Sequence, residues 1–436
     1  MSTLVSCKRL LTVLFCACVA TCACPVTSAA RPDYSGLDSG VSATPPSAAD
    51  SIQSLAVYLG KLCKTDTDKA RVIFDWIVSN IDYDWEAALT SDFSAQTPEK
   101  VLKNRKGVCA GYAYLFAALA DEMELKQTTI PGVSKGLNYV IGQKQTKSNH
   151  VWNAVCVDGE WKLIDCAWGS GYIDNQGKFV RRKSDHYFLT PPEQFIYNHF
   201  PEDPKWQLLA TPVTRNDYEN MVLVRPEFFS YRLSLVSHRY ASVASGATAK
   251  IAIGAPDDVL LVADVLPPSG KSSEKIIGAS TFVQRSGSQL QVNASFPNPG
   301  KYTLRLFARS KADHAALCQW VADYSVEASA GTSGKTQFPN AYPAFQERNA
   351  YLDAPVKGIL TAGATETFKL TVPGAEDVGV LEGTKFLKLE KAGDEFDGEV
   401  GILGDKVSVA ARFTGMDEYC VLIDYQVARQ TASSGL

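Results

Sequence analysis

The spacing of apolar residues changes near residue 211, and that change constrains the fold more than any other feature of the chain. Upstream, apolar side chains recur at helical spacing: Ile52, Leu55, Leu59 and Leu62, then Ala70, Ile73, Phe74, Ile77 and Val78. Downstream, short β-type segments alternate with turn signals about every eight to twelve residues. A helix face needs a period near 3.6 and a half-buried strand a period of 2, so neither texture folds as the other. Six of the seven tryptophans lie between Trp76 and Trp206, and only Trp320 lies beyond. The 436 residues leave room for about three domains at roughly 150 residues each.

The first half reads as an α+β domain over 50–210. Asp50-Ser51 caps a helix to about Leu62, a second helix spans 67–80, and Thr97-Pro98 opens a short one to Asn104. After Gly107-Val108 a long helix runs from Cys109 to Glu122, followed by strands expected around 138–142, 150–157 and 161–168. The second half reads as two all-β sandwiches, 211–328 and 341–430, joined by a linker at 329–340. Its two parts echo one another. Gly246-Ala247-Thr248 matches Gly363-Ala364-Thr365, and Asp323-Tyr324-Ser325-Val326 matches Asp424-Tyr425-Gln426-Val427. That interval is about one immunoglobulin-sized sandwich.

Residues 1–30 have the form of a signal peptide. Lys8 and Arg9 precede a short apolar run, and small residues at 27–30 suit signal peptidase. The run is too short to span a bilayer, and no later segment holds the roughly 20 apolar residues a span requires. The expectation is an exported protein, secreted or in the cell envelope; no leucine-led box before Cys22 or Cys24 supports a lipid anchor. Five of the eleven cysteines lie in this segment, which leaves six for the folded chain. Residues 31–49 are rich in Pro, Gly and Ser and read as a flexible tether. A formal charge of −4 without a basic stripe gives no support for a nucleic-acid partner.

Three polar residues carry the chemistry. Cys109 opens a helix, where unpaired N–H groups and the helix dipole lower a thiol pKa. His150 and Asp165 flank Asp158-Gly159, a strong two-residue hairpin signal. With Val157 facing Glu160, Asp165 falls opposite Trp152 and His150 becomes its diagonal neighbour on the same face. The carboxylate then orients the imidazole, whose other nitrogen serves the thiol. The same register puts Cys156 and Cys166 on opposite faces, against a disulfide between them. No zinc spacing occurs and no cofactor is indicated. Asn293-Ala294-Ser295 is a glycosylation sequon on the expected outer face of a strand.

The blocks GVCAGYAYLFAAL and NHVWNAVCVDGEWKLIDCAWGSGYID resemble the transglutaminase-like superfamily, a circularly rearranged relative of papain-type enzymes. The similarity is closest to its kyphoscoliosis-peptidase branch, which KARVIFDWIVSNIDYD and HYFLTPPEQFIYNHFPEDPKWQLL also match. The resemblance implies a papain-like, transglutaminase-like catalytic domain followed by two immunoglobulin-like sandwiches. It implies Cys109 as nucleophile, His150 as general base and acid, and Asp165 as orienting carboxylate. Tyr83, Trp152 and Trp168 become candidate substrate walls, the Cys109 N–H a candidate oxyanion donor, and His186 and His199 structural residues. The expected function is thiol-dependent cleavage or transfer at peptide or carboxamide bonds, with a protein or peptide substrate. The rival reading is a non-enzymatic adhesion or scaffold protein that binds partners through its sandwiches.

Overall fold

The computed structural model describes residues 32–136, 139–268, 274–313, 317–335 and 337–429. The expected signal peptide lies outside the described residues. In chain order the first half forms α1 (Ser35–Ser42), α2 (Ile52–Gly60), α3 (Asp66–Asn80), β1 (Asp82–Tyr83), α4 (Trp85–Thr90), α5 (Pro98–Asn104), β2 (Lys106–Gly107) and α6 (Cys109–Glu122). Local chemistry sets these boundaries. Ser51 and Thr65 each cap through a reciprocal capping box, and Thr97 accepts from Lys100 N with Pro98 at the first helical position. The buried face of α6 carries Tyr112, Leu115, Phe116 and Leu119, all at most 1% exposed, and packs against α2, α3 and α5. Burying each such side chain contributes roughly 1.5–3 kcal/mol.

On its other side α6 meets an antiparallel sheet built from β3 (Gln127–Ser134), β4 (His150–Val157), β5 (Glu160–Ile164) and a later strand. The hairpin has the expected register, from Val157 opposite Glu160 to Asn153 opposite Ile164. Asp158 and Gly159 both take positive φ, 52° and 80°, as the two-residue turn demands. Beyond it come α7 (Cys166–Ser170), the hairpin β6 (Gly171–Ile173) and β7 (Phe179–Arg181), α8 (Pro192–Phe195) and β8 (His199–Pro201). The sheet order is β5-β4-β3-β8.

Two strand expectations are corrected. Residues 139–142 form no strand; the strand before β4 is Gln127–Ser134, whose Pro131 and polar residues disguise it in sequence. The strand expected over 161–168 stops at Ile164, because the Asp165 side chain accepts from Trp168 N and starts α7.

The tether is also corrected. Within 34–49 the chain forms α1 and a 3-10 turn at Pro46–Ala49, with Val41 and Ala49 buried. Arg71 of α3, 1% exposed, grips Asp38 through Nε at 2.9 Å and Nη2 at 2.7 Å, and holds Asp185 through Nη1 at 2.8 Å. The partners of this segment lie far along the chain, so its own composition does not reveal the order.

Past residue 211 a short helix, Arg215–Asn220, and a bridge strand, Leu223–Val224, join the two halves of the chain. Tyr218 packs on Phe200, and Asn198 Nδ2 donates to Val224 O at 3.2 Å. The first sandwich buries Ile251, Val292, Leu304 and Tyr324; the second buries Phe368, Val409, Leu422 and Tyr425. They are built alike. Ser242–Ser245 runs parallel to Gln319–Ala328, and Ile359–Thr361 runs parallel to Cys420–Ala428. Tyr324 Oη donates to His238 O and Tyr425 Oη to Pro355 O, so the repeated tyrosine does the same work in both. Residues 329–335, expected in a linker, lie against the first sandwich, with Thr332 N bonded to Phe296 O at 2.9 Å. Asn293 turns away from that sandwich's core as expected, but it is half-buried and its amide donates to Phe282 O. No helix among the described residues is long and apolar enough to cross a membrane.

Replacing Arg71 with Met leaves Asp38 and Asp185 without their shared cation. Both carboxylates are partly solvated, so the expected cost is modest, about 2 kcal/mol by urea unfolding. Limited proteolysis should then cut within 34–49 first.

Candidate active site

The site forms where α6 and β4 begin. Val108 precedes the helix without a side-chain cap, so the Cys109 N–H at the first position has no intrahelical acceptor. Gln96 secures this corner by accepting from Val108 N through Oε1 at 2.8 Å. A Cβ at Gly111 would stand 2.4 Å from that oxygen, which is why glycine follows the cysteine so closely. The two-residue bridge between β1 and β2 sets Tyr83 opposite Gly107, and its hydroxyl lies against the Cys109 main-chain N–H.

Across from the helix, β4 presents His150 and is tied back by Asn153 Nδ2, which donates to Ala113 O of α6 at 3.2 Å. The imidazole Nε2 meets Asp165 Oδ2 at 2.6 Å, and the Cys109 thiol is the ring's other polar partner. An ionised carboxylate only accepts, so Nε2 carries its proton toward Asp165 and Nδ1 is the nitrogen left for the thiol. Asp165 is 1% exposed, and its second oxygen, Oδ1, accepts from Trp168 N at 2.9 Å.

The electrostatics follow from these contacts. Burial pushes the Cys109 thiol up, but the hydrogen bond and charge of His150 outweigh it, and the thiol lies below its ordinary value. Burial pulls His150 down, and Asp165 more than reverses that, raising it well above an ordinary imidazole. Burial would raise Asp165, yet the charge and hydrogen bond of His150 hold it far below the usual carboxylate range. Both shifts favour a thiolate facing an imidazolium.

The six residues singled out in the sequence converge on one spot, but not all face outward. Trp152 is 1% exposed and stacks on His150 with ring centroids 6.0 Å apart, so it backs the imidazole and is not a wall that substrate can touch. It crosses β3 at Gly132, where a Cβ would sit 2.3 Å from the indole. Trp168 is partly exposed and lies 5.5 Å from the His150 ring. Two residues escaped the sequence reading. Gln96 lies 13 positions before the cysteine with no motif to mark it. His199, read as structural, bonds Asp165 Oδ2 at 2.9 Å. The coordinating atoms of His150, Asp165 and His199 lie within 4.8 Å of one another, and they spend those atoms on mutual hydrogen bonds. The six described cysteines are free thiols.

Residues 53–166 match the transglutaminase-like superfamily, and residues 215–340 match the KY-like immunoglobulin-like domain. The chain therefore carries a transglutaminase-like domain followed by a β-rich immunoglobulin-like region. It is similar to Kyphoscoliosis peptidase of Mus musculus, 33% identical over 276 residues that make up 60% of this chain and 40% of the relative. The human Kyphoscoliosis peptidase is 34% identical over 57% of this chain and 37% of its own length. Hillarin of Drosophila melanogaster is 31% identical over 57% of this chain and 33% of its own. The matched segments span less than half the length of these relatives.

Gly132→Ala should force Trp152 off β3 and, through it, His150. The expected loss is about 1–3 kcal/mol, the usual range for overpacking, read by thermal melting. Quenching of Trp152 fluorescence should change with it.

Proposed function

We propose that this chain is an exported thiol enzyme that opens peptide or carboxamide bonds through an acyl-enzyme. One observation carries the reading: the buried His150 imidazole meets Asp165 Oδ2 through Nε2 and has the Cys109 thiol as its other polar partner. The Cys109 thiolate attacks the substrate carbonyl carbon and forms a C–S bond, while charge collects on the carbonyl oxygen. In this reading the Cys109 N–H, beside the Tyr83 hydroxyl, receives that charge. His150 then gives its Nδ1 proton to the departing amine as the C–N bond breaks, leaving a thioester on Cys109. Water attacks the thioester, His150 takes the water's proton, and the acid is released with the thiol pair restored. An amine in place of water gives transamidation by the same steps. The apolar run with small-residue sites in residues 1–30 supports the export half of the reading.

The sign of the pH dependence follows from the two shifts. With Cys109 held below its ordinary value and His150 above, the pair is reactive from mildly acidic pH and loses its proton donor once the solution rises past the elevated His150 value. Burial pushes Cys63, Cys166, Cys318 and Cys420 the other way, so they stay protonated there. Iodoacetamide near pH 6 should therefore label Cys109 ahead of these four, with peptide mapping as the readout. In His150→Ala the labelling rate should fall on the order of a hundredfold, to that of an ordinary thiol. Equal rates in the two proteins would sink the reading. Peptide and amine substrates profiled against Cys109→Ala would show which acceptor resolves the thioester.

A further inference from the structure

His199 lies beyond the segment matched to the transglutaminase-like superfamily, and nothing in its local sequence marks it as part of a site. The fold nevertheless brings it to the buried carboxylate. β8 pairs with β3 so that His199 stands opposite Ser134, while β4 pairs on the other edge of β3 with His150 opposite Gly132. The two imidazoles thus approach Asp165 from strands on either side of β3, their centroids 5.3 Å apart. His150 Nε2 reaches Oδ2 at 2.6 Å, and His199 Nε2 reaches the same oxygen at 2.9 Å.

Asp165 needs such a partner. It follows the last residue of β5, where its N–H donates to Tyr187 O and its carbonyl accepts from Gly169 N, while its side-chain Oδ1 is engaged by Trp168 N alone. His199 is 1% exposed and enclosed by rings: Phe195 stacked at 4.0 Å, Trp168 at 4.5 Å and Trp152 at 5.2 Å. Its Nδ1 is buried without a hydrogen bond of good geometry, the Phe195 main chain offering only partial support to a second proton. Burial accordingly pulls His199 below an ordinary imidazole, Asp165 offsetting only part of this. A neutral ring with Nε2–H donates to the carboxylate without bringing a competing charge. The titratable groups facing it are Asp165, His150 and Tyr187; those facing Cys109 are His150, Asp165 and Tyr83.

We propose that His199 is a positioning residue, the fourth member of the Cys109–His150–Asp165 array, whose Nε2–H locks the Asp165 carboxylate in the rotamer that meets His150. It acts on the thiol only through that carboxylate, and so rests on the enzymatic reading above. Without the lock, Oδ2 keeps only His150 and Oδ1 only the Trp168 N–H, so the carboxylate holds the imidazolium less firmly and the thiolate in turn loses part of its counter-charge.

The test is the pH profile of Cys109 alkylation by iodoacetamide, measured on the full chain between about pH 4 and pH 9. His199→Phe keeps a ring in the aromatic cage and removes the donor. Its acid limb should move up by about one pH unit, a roughly tenfold slower reaction below the limb. His199→Gln restores an N–H near the Nε2 position and should return the limb to within about a third of a unit of the wild type. A Phe variant with the wild-type limb overturns the proposal, since packing alone would leave it unmoved. A Gln variant displaced as far as Phe does so too, whatever the fate of the Phe protein; where Phe does not fold, His199→Leu takes its place. His150→Ala separates the two readings. If it leaves the limb in place, the Cys109–His150 pair itself is wrong; if it moves the limb and His199→Phe does not, only the role of His199 falls.

Discussion

A carboxylate that leaves water must have its oxygens occupied by donors, and the buried Asp165 organises the first domain around that requirement. Oδ1 takes the Trp168 N–H, which ends β5 and starts α7 in the same step. Oδ2 takes the two histidines. One side chain therefore fixes a strand end, a helix start and the orientation of a catalytic-type imidazole. The aromatic shell of Trp152, Trp168, Phe195 and Tyr187 excludes water from this cluster, which strengthens each charge–charge contact within it.

The helix that carries Cys109 is held with comparable care, though by neutral contacts. Gln96 and the β1–β2 bridge define how α6 begins, and Tyr112 anchors its first turn by donating to Ile81 O at 2.6 Å. The sulfur thus sits at the start of a well-anchored helix facing β4. Behind this domain, Phe282 of the first sandwich packs at a tilt against Phe345 of the second, and Gln284 and Gln346 each cross the same junction to accept a main-chain N–H. The two sandwiches meet through packed and bonded surfaces.

Much of this could be read from the residues because the signals were short-range. Caps at Ser51, Thr65 and Thr97 each act within four positions. The Asp158-Gly159 turn fixes the register of β4 and β5, which brings Asp165 to the end of β5 near His150, although Asp165 leaves the ladder to cap α7 and does not pair opposite Trp152. Where partners lay far off, the reading failed. Residues 35–42 are helical because Arg71 and Asp38, 33 positions apart, find each other. Trp152 resembled a pocket wall until the bare Gly132 let it sink across the neighbouring strand.

What the sequence determined by itself was the kind of the capped helices, the helix-to-sandwich division near residue 211, and the β4–β5 hairpin. Hydrophobic period and turn chemistry are properties of neighbouring residues, and neighbours suffice to specify them. Only the tertiary structure decided that a second histidine, 34 residues past Asp165, shares its oxygen. That contact depends on β8 choosing the free edge of β3, a pairing set by burial across the whole sheet rather than by any local pattern.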